Sequence, residues 1–414
     1  MAEHRRGANL PSIGGLNRTV VLDAVRRSPD GLSRVELASR TGLSAQTVSN
    51  VTRFLIEAGM IAESGTVVAG RGKPRTILRL EAASRYAVGV HVDPAVVTYV
   101  LLDLAGTVVA ESTTSTPSAD DPAEVVRTIA DAVDTLVTEA RVDVDAVLGV
   151  GIASPGPIDV DAGVVLDPPF LPRWRDVPLR DALADATGYP VLLEKDVTAA
   201  VVGEMFLAGE SSARNFAFVY YGTGFGVGLV VEHEPVRGVG SNAGDAGHIM
   251  VEQGALAGTP DGAGSRGEVG AAVAPDRLVR IARDRGLALP AVDGHMGAVD
   301  RAWDVLAAAI EDAHPTAIGL AEDAGTVMGN AVVLIVNLLD IDRVVFGGPF
   351  WSRIASAALP AARSAIVDSP LLIPKHPVVV DEADRGADVA AVGAACLVLD
   401  AALSPRASAL LIRH

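Results

Sequence analysis

The chain has 414 residues, more than one ordinary core supports, since single cores stop growing near ~250–300 residues, and the length suits two or three domains. Hydrophobic residues make up 49% of it, enough for each domain to bury a core, yet the apolar stretch Ala331 to Leu339 is far below the ~18 residues of a membrane span. The net charge of −17 is divided unevenly: residues 1 to 80 hold 12 Lys+Arg against 6 Asp+Glu, and the remaining 334 hold 22 against 45. An acidic body repels nucleic acid and a basic head attracts it, because the charge that meets phosphate is local. No transmembrane segment is expected, and the N-terminus lacks the apolar stretch of a secretion signal. The one cysteine, Cys396, forms no internal disulfide and excludes zinc fingers, iron–sulfur clusters and other multi-thiolate sites. The chain is read as cytoplasmic.

The first predicted element is a helix over Asn17 to Ser28, with Val20, Val21, Ala24 and Val25 as its apolar side. Ser33 and Glu36 have the spacing of a capping box, which starts a second helix that runs to Thr41. Gly42 permits a tight turn, Ser44 caps a third helix, and Gly59 ends it. Val48, Val51 and Leu55 share one face of that helix, and Gln46, Ser49, Asn50 and Arg53 share the opposite one. Amide and hydroxyl side chains followed by arginine suit base edges and phosphates in a major groove, so this is a helix-turn-helix. Two short strands then flank a basic tip carrying Arg71, Lys73 and Arg75, the wing of a winged helix. Candidate DNA contacts are therefore Arg34, Ser44, Gln46, Thr47, Ser49, Asn50, Arg53, Arg71, Lys73 and Arg75. The alternatives are a small helical bundle with a polar face and a solvated basic linker.

Beyond Ser84, strands alternate with helices. Tyr86 to Val92, Val97 to Asp103 and Val108 to Ser112 read as antiparallel strands, and a helix over 123–140 leads to the strand Val147 to Ile152. Five strand-end segments carry potential chemistry: the Pro-Gly-Pro loop around Gly156, Asp196 at the start of a helix, Gly222-Thr223-Gly224 between two strands, Gly244 to His248 with Asp245, and Gly347-Gly348-Pro349. Each has a plain reading as well. Asp196 can be only a helix cap, His248 only a core histidine, and Gly222 and Gly224 only a tight hairpin.

The order of these motifs resembles the ROK family, which groups sugar kinases with sugar-responsive repressors, over about Asn17 to Asp400. The resemblance implies a winged helix over residues 1–80 and, over 85–414, an α/β, two-lobed, actin- and hexokinase-like (ribonuclease H-like) domain that senses an effector and dimerises. Asp196 stands where the family's kinases hold their catalytic base, with Lys195 in place of the usual asparagine. Gly222, Thr223 and Gly224 match a second phosphate loop. The first should read Asp-x-Gly-Gly-Thr, but the chain has His91-Val92-Asp93-Pro94-Ala95, and proline offers no N–H to a phosphate. The three cysteines that follow the family's histidine and bind zinc are absent after His248, where the chain reads as a flexible glycine-rich loop through Gly270. Asp245 replaces a sugar-binding glutamate, and Phe170 stands at the place of a sugar-binding asparagine.

These readings converge on a DNA-binding regulator, a repressor, with a kinase-dead body. Its expected effector, a sugar or sugar phosphate, meets Gly156, Asp196, Asp245 and His248. Asp196 is a vestigial base, Gly222 to Gly224 a vestigial phosphate loop, and neither zinc nor ATP is expected. The expected partners are a two-fold operator and a second copy, as a homodimer or dimer of dimers, with no membrane. The alternatives are an active sugar kinase with a DNA-binding head, and a regulator whose body is only a scaffold.

Overall fold

Two short amphipathic helices carry their own start signals, and these organise the head. The computed structural model of the chain describes residues 10–67, 74–116, 122–168, 171, 174–208, 214–257, 267–292 and 296–403. Helix α1 (Leu10–Arg26) is followed by β1 (Leu32–Ser33), α2 (Arg34–Thr41), α3 (Ala45–Glu57), β2 (Ile61–Val67) and β3 (Arg75–Leu80). The Ser33 side chain accepts from the Glu36 N–H, and the Glu36 carboxylate accepts from the Ser33 N–H at 2.8 Å. These bonds hold the Glu36 carboxyl below its usual range. Gly42, at φ 69°, ends α2, and the Ser44 side chain accepts from the Thr47 N–H to start α3. Val48, Val51 and Leu55 are buried with Leu37, Val21, Leu22 and Val25.

Two expectations for α1 are corrected. It starts at Leu10 rather than Asn17, and Val20 faces outward while Leu22 fills the core. At 100° per residue, the stripe through Val21, Leu22 and Val25 leaves Val20 on the flank. β3 pairs antiparallel with β1 (Ser33 opposite Ile77) and with β2 (Ile61 opposite Leu80), which makes the wing. Arg71 and Lys73 lie outside the described residues. Arg75, at the start of β3, is exposed.

The body contains two five-stranded sheets. The first is built from β4 (Tyr86–Val92), β5 (Val96–Asp103), β6 (Val108–Ser115), β7 (Val147–Ser154) and β10 (Val191–Lys195), in the order β10-β7-β4-β5-β6. Helix α4 (Pro122–Glu139) precedes β7, a small hairpin of β8 (Ile158–Asp159) and β9 (Val164–Val165) follows it, and α5 (Leu179–Thr187) precedes β10. Apolar residues of α4 and α5 cover one face of this sheet. Helix α6 (Asp196–Ala208) then crosses to the second sheet, formed by β11 (Phe216–Tyr221), β12 (Phe225–Val231), β13 (Glu234–Pro235), β14 (Arg343–Gly347) and β15 (Val379–Glu382), in the order β13-β12-β11-β14-β15. Helices α7 (Val269–Ala272), α8 (Pro275–Asp284), α9 (Met296–Glu311), α10 (Pro315–Leu339) and α11 (Trp351–Val367) build the core on its outer face.

Between the sheets lie α6 and α12 (Val389–Leu403), in one core with residues of β4, β5, β11 and β14 and with the head. They meet backbone to backbone: a Cβ at Gly393 would lie 1.9 Å from the Ala199 carbonyl oxygen. Cys396 is buried in α12, and that burial pushes its thiol far above the usual range. Helix α10 is long and apolar enough to cross a membrane by length and composition. The run from Ala331 understates it, because the helix extends back to Pro315 through small residues. Here its Ala324, Met328 and Val332 are buried in the second lobe.

Candidate functional site

On the outer face of α3, Gln46, Ser49, Asn50 and Arg53 are all exposed. The Asn50 side-chain oxygen accepts from Gln46 Nε2 at 3.3 Å and from Arg53 Nη2 at 3.2 Å, which lines the three side chains up along one edge. Ser44 and Thr47 are joined by their hydroxyls at 2.9 Å. Arg34 is placed differently: its Nε donates to Thr52 Oγ1 at 3.1 Å and its Nη2 pairs with Glu63 at 2.9 Å, so it ties α2 to α3 and to β2. Surface pairs of this kind contribute little stability, and the free face of α3 is not engaged by them.

The ends of β4, β7 and β10 and the β11–β12 hairpin converge on a cleft of about 670 Å³ between the lobes. Asp196 sits on its floor as the first residue of α6, and its Oδ1 accepts from the Val197 N–H at 2.7 Å. Burial raises its carboxyl to about 6, and neighbouring Lys195 opposes the shift. Asp196 therefore begins a helix and lines the cleft at once.

The first loop is closed on itself. The Asp93 carboxylate accepts from the Ala95 N–H at 2.9 Å, and the Asp93 N–H donates to the Val96 carbonyl at 3.1 Å. Pro94 has no N–H, so all three residues are without a donor to offer an anion. Burial raises the Asp93 carboxyl to about 7, helped by Asp196 and Asp300. Behind it, His91 is buried edge-on to Tyr220, and burial lowers its imidazole to about 4. In the second loop the Gly222 N–H bonds the Gly224 carbonyl at 3.2 Å, while Thr223 and Gly224 line the cleft.

Across the mouth, Asn242 clasps the Pro-Gly-Pro loop. Its Oδ1 accepts from the Ile158 N–H at 2.8 Å and its Nδ2 donates to the Ile158 carbonyl at 2.7 Å. Lys195 Nζ donates to the Asn242 carbonyl at 3.1 Å, close beside Gly156. Asp245 is exposed and lines the cleft as well. His248 is no core histidine: 79% of its side chain is exposed, and its Nδ1 lies 3.0 Å from Glu268, which raises its imidazole.

The glycine-rich segment after His248 is not loose where it is described. Gly254–Leu256 form a 3₁₀ turn, Met250 bridges to Glu268, and buried Arg277 donates to the Leu256 carbonyl at 2.7 Å and the Ala272 carbonyl at 3.0 Å. Among the described residues, no group of three or more His, Cys, Asp or Glu is arranged to hold a metal ion. Phe170 lies outside the described residues.

Asn242, Glu268, His91 and Tyr220 are site residues that the sequence reading did not select. An asparagine between Gly240 and Gly244 is an ordinary turn residue, and nothing local marks Glu268.

The chain thus joins a winged helix to a two-lobed α/β body whose strand ends converge on an interlobe cleft. Residues 87–401 match the ROK family model, and the chain belongs to the ROK family. It is 27% identical over 238 residues to the xylose repressor of Bacillus subtilis, covering 57% of this chain and 61% of that protein. The aligned region thus spans about three fifths of that relative's length. It is 30% identical over 274 residues to a glucokinase of Halalkalibacterium halodurans, covering 64% and 81%. The fold matches the crystal structure of a ROK family transcriptional regulator, a homologue of the E. coli Mlc protein, with a TM-score of 0.73 at 21% identity over 94% of this chain and 97% of that one.

Proposed function

We propose that the protein is a sugar-responsive transcriptional repressor, cytoplasmic, that binds a two-fold operator as a homodimer or dimer of dimers. Its body senses a sugar or sugar derivative through Asp196, Asp245, His248 and the loop at Gly156, and uses neither ATP nor zinc. The observation that carries this reading is the self-closed first loop, in which Asp93 occupies the Ala95 N–H beside an N–H-less proline. A phosphate cradle needs such donors free, and here the Asp93 side chain holds the N–H that a phosphate would need. On the head, α3 offers Gln46, Ser49, Asn50 and Arg53 to the groove, and Arg34, Ser44, Thr47, Arg71, Lys73 and Arg75 are the further DNA contacts this reading assigns.

One observation favours the kinase alternative. A carboxyl raised to about 6 on the cleft floor is suited to taking a proton from a hydroxyl.

The test has two arms. Selection from random duplexes should yield a two-fold operator whose binding falls steeply with salt, and thermal shifts with neutral and phosphorylated sugars should find a ligand that alters it. Asp196→Ala should bind the operator and lose the ligand response. ATP turnover that disappears in Asp196→Asn would establish the kinase instead. Failure of selection would remove the repressor.

A further inference from the structure

Helix α6 has one end in the cleft and the other on the DNA-binding head. Its first residue, Asp196, lines the cleft, and 13 residues at 1.5 Å each carry the helix about 20 Å to Ala208. The last carbonyls of any helix lack partners inside it. Here one of them is taken by the head: Arg26, at the end of α1, donates through Nη1 to the Phe206 carbonyl at 3.1 Å. The same guanidinium lies over the Phe206 ring, 3.7 Å from its centroid, while Asp23 holds it from behind at 2.7 Å. A cation at a helix C-terminus is favoured by the helix dipole. The Arg26 side chain is only 6% exposed. The Phe206 ring also meets the β5–β6 turn, where a Cβ at Gly106 would lie 3.0 Å from it.

Between these ends α6 has little room to bend. Val197 is packed under Gly226, Gly228 and Gly244, and Gly393 brings α12 against the Ala199 carbonyl. Tightly packed interiors pass a displacement on rather than absorbing it. Helix α1 in turn holds α3, through Val21, Leu22 and Val25 and through Arg18, which lies 3.7 Å over the Phe54 ring.

We infer that Arg26 is a positioning residue that couples the cleft to the recognition helix, reading the state of Asp196 through α6 by its joint hold on the Phe206 carbonyl and ring. The inference rests on the cleft being the effector site, but its test requires neither effector nor operator. A residue that only glues the head to the body would lower stability without changing how far a disturbance travels. The two roles are therefore separable.

Hydrogen–deuterium exchange of the full chain, without DNA or added sugar, makes the separation. Asp196→Ala disturbs the first turn of α6. In an otherwise wild-type chain, exchange should change in α6 and, by about 5-fold or more, in α1 and α3, the lower end of usual site-to-site coupling. In an Arg26→Lys background the change should stop within α6, since lysine keeps the charge beside Asp23 but cannot both stack and bond the carbonyl. Should Arg26→Lys not fold, Phe206→Leu keeps apolar volume, removes the ring and should give the same confinement. An equal response of α1 and α3 in both backgrounds, or none in the wild-type background, overturns the coupling and leaves the repressor reading to its own DNA and ligand tests.

Discussion

The outer face of α3 and the floor of the cleft both present polar side chains, but in opposite states. Gln46, Asn50 and Arg53 are exposed and bond chiefly to one another, so their solvation is intact and a partner can replace it group for group. Asp93 is buried and Asp196 half-buried at the cleft floor, and desolvation raises both carboxyls. A change on α3 should therefore alter binding and leave stability alone, whereas a change on the cleft floor should alter stability first.

The largest test of that contrast is Asp93→Asn. A carboxyl raised from 3.8 to about 7 favours the folded state while protonated, so its contribution is full below pH ~4 and is lost as pH rises through 7. Asparagine can still accept from the Ala95 N–H and carries no charge. The variant should be more stable than wild type by up to about 4 kcal/mol at pH 8 and no different near pH 4, measured by urea unfolding. An equal gain at both pH values would show that the effect is packing rather than charge.

Next in size are Gln46→Ala and Asn50→Ala. Each should lose about 1–3 kcal/mol of discrimination between the selected operator and a mismatched duplex, with unfolding shifted by less than about 0.5 kcal/mol. A large fall in stability from either would erase the distinction between the two regions.

Ser33→Ala sharpens it from within the head, because Ser33 is buried and caps α2 without facing outward. It should cost about 1 kcal/mol of stability and leave the operator affinity of the folded fraction unchanged. The smallest effect belongs to Arg53→Ala: the slope of log affinity against log salt should drop by about 1, alike on specific and unrelated DNA. A loss confined to one sequence would mean that Arg53 reads a base.

The two regions also differed in how much of them could be read from sequence. The caps at Ser33 and Ser44 and the face of α3 depend on residues three or four apart, so periodicity revealed them. So did the strand-to-helix junction at Asp196. The starting point of α1 and the outward turn of Val20 did not emerge, because a helix without a capping signal has no fixed phase. In the cleft, the loss of donors at Asp93 to Ala95 was visible, but the clasp was not: Asn242 and Ile158 lie 84 residues apart. Arg26 and Phe206, 180 apart, carry no local mark of their contact. The glycines after His248 suggested a loose loop, and Arg277, a surface arginine by composition, orders the described part of it. Local signals make elements legible, while contacts between distant elements depend on how sheets and helices are finally stacked.

The burial of Cys396 gives the chain an internal clock. It is the sole thiol in 414 residues, and it lies at the middle of α12, where head, α6 and first sheet meet. A thiol reagent can reach it only when that junction parts, so the labelling rate counts openings of the layer without any engineered probe. Followed in reagent excess, it separates a chain that opens often and recloses from one that opens rarely, a distinction that equilibrium melting does not draw.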